Sequence, residues 1–134
     1  MKTFIIDDDN ISLYLTKHIL NETAFSQEIT SFLSAENALK ILQQCMPTDL
    51  PQVIFLDLNM PGMNGWEFLE ALTPYKATFI GRCRIYILTS SLDLLDTLRA
   101  KDYEIVGGLI HKTIKPADVR TIMYQIEEQK YSII

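Results

Sequence analysis

Short apolar runs alternate five times with segments of helical periodicity along this chain, and that alternation constrains the fold more than any other feature. Thr3–Ile6 is an apolar run that ends in three aspartates, Asp7, Asp8 and Asp9. Ile11, Tyr14, Leu15, His18 and Ile19 follow at the i, i+3, i+4, i+7, i+8 spacing of one helix face, with Asp9 or Asn10 as its cap. A strand near Ile29–Leu33 leads to Ser34, which caps a helix striped by Ala38, Ile41, Leu42 and Cys45. Val53–Leu56 is continuously apolar, as strands covered on both faces are, and ends at Asp57. Asn64 and Glu67 then have the spacing of a capping box, ahead of a stripe of Gly65, Phe68, Leu69 and Leu72. Thr73–Cys83 lacks periodicity and reads as a surface connection. Arg84–Leu88 is the fourth strand, and Leu94, Leu95 and Leu98 mark the fourth helix. Gly108–His111 is the fifth strand, ending at Lys112; Pro116 opens a last helix striped by Val119, Ile122, Met123 and Ile126. Such alternation implies an α/β fold, a doubly wound parallel sheet of five strands with helices on both faces.

Length and charge narrow the function. The 134 residues suit one domain over 1–134 and leave no room for two of ordinary size. A net charge of −5 with no basic run argues against a nucleic-acid partner, which needs positive charge against phosphates. No apolar stretch is long enough to span a membrane, and the acidic N-terminus is no signal peptide. Cys45 and Cys83 lack metal-ligand spacing, so a reduced, cytoplasmic setting is expected.

In an open parallel sheet the carboxyl ends of the strands share one edge, where ligands bind. Asp7, Asp8, Asp57, Thr89 and Lys112 all fall there. Crowded carboxylates repel unless a cation offsets them, and Mg²⁺ prefers one or two carboxylates with waters and phosphate oxygens. An aspartate can attack a phosphoryl group and hold it as an acyl phosphate, while the metal and a lysine offset charge on the transferring oxygens. Taken singly, each residue has a plainer reading, as a helix cap or a solvated charge.

Ile6-Asp7-Asp8, the run from Asp57 to Gly65, Leu88-Thr89-Ser90 and Lys112 together resemble the signature blocks of response-regulator receiver domains, in order and over essentially the whole chain. The resemblance implies a flavodoxin-like (βα)5 fold with strand order 2-1-3-4-5. It implies Asp57 as phospho-acceptor and a Mg²⁺ site of Asp8, Asp57 and the Asn59 carbonyl, with Asp7 acting through water. Lys112 would contact a phosphoryl oxygen, and Thr89, with Ser90 beside it, would form the switch. The expected donor is a histidine kinase or a histidine phosphotransfer protein, and the expected output is contact with a downstream protein through the face of helix four, strand five and helix five. The resemblance also admits a phosphorylation-dependent dimer. No output domain is expected, nor any enzymatic activity beyond self-phosphorylation and self-dephosphorylation.

Two positions depart from the family pattern. Thr113 replaces the proline that usually follows the lysine, which leaves the isomer of the Lys112–Thr113 bond open. Leu109 replaces the usual switch aromatic, so the expected signal is apolar repacking around Leu109 and helix four. Two competing readings are set aside. An aspartate-nucleophile phosphohydrolase would need an acid where Asn59 stands, and a receiver-shaped module that is never phosphorylated usually lacks one of the acids or the lysine. His18 reads as packed or partly exposed, His111 as pointing away from Lys112, and Tyr86 as core; Trp66 fits packing and recognition equally.

Overall fold

The computed structural model describes residues 1–132. Its five strands are β1 (Lys2–Ile6), β2 (Glu28–Phe32), β3 (Val53–Leu56), β4 (Arg84–Thr89) and β5 (Val106–His111). They form one parallel sheet in the order β2-β1-β3-β4-β5, as expected. The helices are α1 (Asn10–Glu22), α2 (Ala35–Cys45), α3 (Gly65–Leu72), a short α4 (Lys76–Phe79), α5 (Leu94–Ala100) and α6 (Pro116–Ser132). The fourth and fifth helices read from the sequence are therefore α5 and α6.

Side-chain alternation along the central strands divides the core in two. Phe4, Ile6, Ile54, Leu56, Ile85 and Ile87 point to a cluster completed by α2, α3 and Ala100 of α5. Ile5, Val53, Phe55, Tyr86 and Leu88 point the other way, onto Leu13 and Leu20 of α1 and Val119 and Ile122 of α6. Burying each large apolar side chain contributes roughly 1.5–3 kcal/mol, so the two layers fix the central strands firmly. Thr3 is buried on β1, and its hydroxyl has no hydrogen-bond partner among the described residues.

Three sequence expectations need correction. The stripe expected to bury α1 faces outward: Ile11 is 70% exposed and Tyr14 68%, while Leu13, Thr16 and Leu20 face the sheet. Helix α1 has apolar residues on two faces, and the one that fits the sheet includes a threonine. Leu94, Leu95 and Leu98 of α5 are likewise 69%, 69% and 51% exposed, and Ala100 is the residue this helix buries. The stretch Thr73–Cys83 is no plain surface connection. It forms a 3-10 turn (Thr73–Tyr75) and α4, and sends Phe79 and Cys83 into the first core layer.

Candidate functional site

The backbone ladder carries one residue past three strand ends and holds Asp7, Asp57 and Lys112 in place. The Asp7 N–H donates to the Phe32 carbonyl at 3.0 Å, the Asp57 N–H to Ile6 at 2.9 Å, and the Lys112 N–H to Thr89 at 2.8 Å. Oxygens of Asp7, Asp8 and Asp57 consequently lie within 4.8 Å of one another. The Lys112 ammonium donates to Asp7 Oδ2 at 2.8 Å and stands 3.6 Å from Asp57 Oδ1. Asp7 and Asp57 are buried and Asp8 is exposed. Lys112 therefore stands among these carboxylates, and the Lys112–Thr113 peptide bond is cis.

Burial sets the charge of Asp57. Desolvation, and then the neighbouring Asp7 carboxylate, push its pKa from 3.8 up to about 6, against Lys112 and the backbone N–H groups of Asn59 and Leu58. Burial and a like-charged neighbour shift acids in this way at functional sites and in structural ion-pair networks alike. Three oxygen donors in this space suit a hard divalent ion such as Mg²⁺. Asp7 already spends Oδ2 on Lys112 and Oδ1 on the Asp9 N–H at 3.0 Å, which makes it the less available of the three acids for direct ligation. Asp9 is the α1 cap, accepting from the Ile11 N–H at 3.0 Å.

The loop after Asp57 is clamped. Gly65 packs so closely that a Cβ there would lie 2.6 Å from the Asp57 carbonyl oxygen, and its N–H donates to the Leu58 carbonyl at 2.9 Å. Asn64 and Glu67 form the expected capping box at 2.8 and 3.0 Å. Glu36 of α2 accepts the Met63 N–H at 3.3 Å, a contact between distant segments that no local pattern signals. Asn59 is exposed within this loop.

Thr89 is fully buried at the end of β4, where its Oγ1 accepts the Ser91 N–H at 3.0 Å, whereas Ser90 is exposed. Leu109 is half-buried against the core layer shared with α3 and α5. Trp66 is buried, its ring stacked on Tyr103 (6.1 Å) with the Arg99 guanidinium 4.4 Å from its centroid, so packing is its role in this state. His18 is half-exposed beside Glu22, His111 is exposed, and Tyr86 lies in the core with its hydroxyl donating to Gln125 at 2.7 Å. Both cysteines are free thiols, Cys83 buried and Cys45 partly so. Among the described residues, no helix is long and apolar enough to cross a membrane.

The family model of the response regulator receiver domain matches residues 3–124. A hybrid signal transduction histidine kinase L of Dictyostelium discoideum is 28% identical over 123 residues, 91% of this chain and 7% of that protein. A protein-glutamate methylesterase/protein-glutamine glutaminase 2 of Paramagnetospirillum magneticum is 35% identical over 107 residues, 79% of this chain and 29% of that protein. The chain thus spans less than a third of the length of these curated relatives. The crystal structure of a two component response regulator from Cytophaga hutchinsonii superposes with a TM-score of 0.85 at 27% identity, covering 95% of this chain and 96% of that one.

Proposed function

Because the chain belongs to the response regulator receiver domain family, a phospho-acceptor module of two-component signalling, we propose that Asp57 is its acceptor and takes the phosphoryl group of a phosphohistidine. The observation that carries this is the Asp57 carboxylate itself, buried at the end of β3 beside two further acids, with an ammonium 3.6 Å away. An Asp57 oxygen attacks phosphorus, the P–N bond of the donor breaks, and the imidazole leaves with the bonding electron pair. Lys112 offsets charge on the transferred oxygens, and the clamped 58–65 loop keeps the nucleophile in place for attack. Bound Mg²⁺, held by Asp8, Asp57 and the Asn59 carbonyl with Asp7 acting through water, would supply further charge neutralisation.

The donor is a histidine kinase or histidine phosphotransfer protein, and the output is a phosphorylation-dependent contact with a downstream protein through α5, β5 and α6, or a phosphorylation-dependent dimer. Thr89 and the adjacent Ser90 report the phosphoryl group. We place the protein in the cytoplasm as one domain over 1–134, in keeping with its two free thiols. It turns over no substrate other than its own acyl phosphate.

The test is intact-mass measurement after incubation with acetyl phosphate and Mg²⁺. One phosphoryl group should be added, with none in Asp57→Asn and none in EDTA. A full-yield adduct on Asp57→Asn would move the acceptor to another residue.

A further inference from the structure

The 58–65 loop carries Asn59 between Asp57 and α3, and it is pinned from inside by apolar side chains. Leu58 and Met60 are buried in the first core layer, and Met63 packs against that layer. Pro61 and Gly62 stand out at the surface. From Met60 to Met63, the one hydrogen bond among the described residues is the Met63 N–H donating to Glu36 Oε1 at 3.3 Å. The other oxygen of the same carboxylate lies over Gly62, where a Cβ would stand 2.7 Å from Oε2. Gly62 has a φ of +73°, so a side chain there is disfavoured both by the backbone and by Glu36. The space left by the glycine is the seat of the carboxylate.

Glu36 reaches the loop from a firm base. It stands in the first turn of α2, which buries Ala35, Ala38 and Leu42 and is capped by Ser34 accepting the Asn37 N–H at 3.2 Å. Glu36 itself is exposed and makes no ion pair among the described residues. We infer that Glu36 is a positioning residue for the cation: it clasps the turn at Gly62 and Met63 and so fixes the backbone that presents the Asn59 carbonyl. The inference rests on the Mg²⁺ site proposed above and adds a residue that touches neither metal nor phosphoryl group. A main-chain oxygen is a ligand only while the backbone on either side of it holds its conformation. A turn that drifts must be ordered when the cation binds, and that ordering entropy is subtracted from the affinity. A clasp formed in advance removes the penalty. Charge is the rival account, since any carboxylate near the site attracts a cation, and reach separates the two. Aspartate keeps the charge but is one methylene shorter, whereas glutamine keeps the reach and a carbonyl oxygen without the charge.

The experiment compares wild type, Glu36→Ala, Glu36→Asp and Glu36→Gln by NMR, with no phosphoryl donor present. Hydrogen exchange is read at the Met63 amide, and Mg²⁺ affinity is read from the Asp57 and Asn59 amide shifts during a titration with the metal alone. Glu36→Ala and Glu36→Asp should each free the Met63 amide and weaken Mg²⁺ about twofold to tenfold, the loss expected for one hydrogen bond. Glu36→Gln should stay close to wild type in both readouts. Equal weakening in Glu36→Ala and Glu36→Gln, with Glu36→Asp unaffected, would overturn the clasp and leave a charge effect in its place. A freed Met63 amide with unchanged affinity in Glu36→Ala and Glu36→Asp would overturn the positioning role while the Mg²⁺ site stands. If wild type shows no saturable shift, the metal reading itself fails and this role fails with it.

Discussion

Helices α3 and α5 both follow strands that end at the site, and they are built in opposite ways. Helix α3 buries Gly65, Trp66, Phe68, Leu69 and Leu72 and starts with a two-sided capping box. Helix α5 buries one alanine, turns three leucines to solvent and is joined at its start to Ser91 by a hydrogen bond to Asp96. The difference separates two tasks. With Asp57 as the proposed phospho-acceptor, group transfer needs it held still, and the loop behind it is tied to the well-buried α3. A readout needs two arrangements close in free energy, and coupling of about 1–3 kcal/mol can move only an element that little else holds.

The largest expected effect breaks the firm side. Phe68→Ala should cost about 3–5 kcal/mol in denaturant unfolding, whereas Leu95→Ala should stay within about 0.5 kcal/mol. Comparable losses would show that α5 is packed as tightly as α3.

The next effect comes from charge. The Asp57 pKa is raised from 3.8 to about 6, so between those values the folded protein holds a proton that the unfolded chain releases. The unfolded state binds fewer protons in that window, and this group's contribution to stability therefore falls as pH rises through it. Without metal, Asp57→Asn should be more stable than wild type by roughly 1–3 kcal/mol at pH 7.5, with the gap closing by about pH 4. Excess Mg²⁺ should shrink the pH 7.5 gap by stabilising the ionised wild type. A gap that grows toward low pH would reverse the assigned sign.

A smaller effect is expected from β1, on the side of the strand away from α3. Thr3 is buried there and its hydroxyl has no hydrogen-bond partner among the described residues, so Thr3→Val should gain about 1 kcal/mol in the same unfolding assay. A loss would mean that the hydroxyl has a partner, such as an ordered water.

What the sequence disclosed follows the same division. The strand ends, Asp57, the α3 cap and the stripe Gly65, Phe68, Leu69 and Leu72 were legible because apolar runs and capping spacings are local signals. The faces of α1 and α5 were not, because periodicity reports that a helix has an apolar stripe and not whether the sheet covers it. On α1 the burying face includes Thr16, which no hydrophobic count selects. The Glu36 contact to Met63 joins segments 27 residues apart and has no local signature. Ser91 and Asp96 are five residues apart in sequence, but no local pattern signals that their side chains meet.

Phosphorylation of Asp57 is expected to move α5 and leave α3 in place, and hydrogen exchange before and after beryllofluoride and Mg²⁺ reads both helices in one experiment. Amide protection should change across 91–100 and stay within error across 65–72, and neither segment should change in Asp57→Asn. Equal changes in both helices, or a change confined to α3, would contradict it.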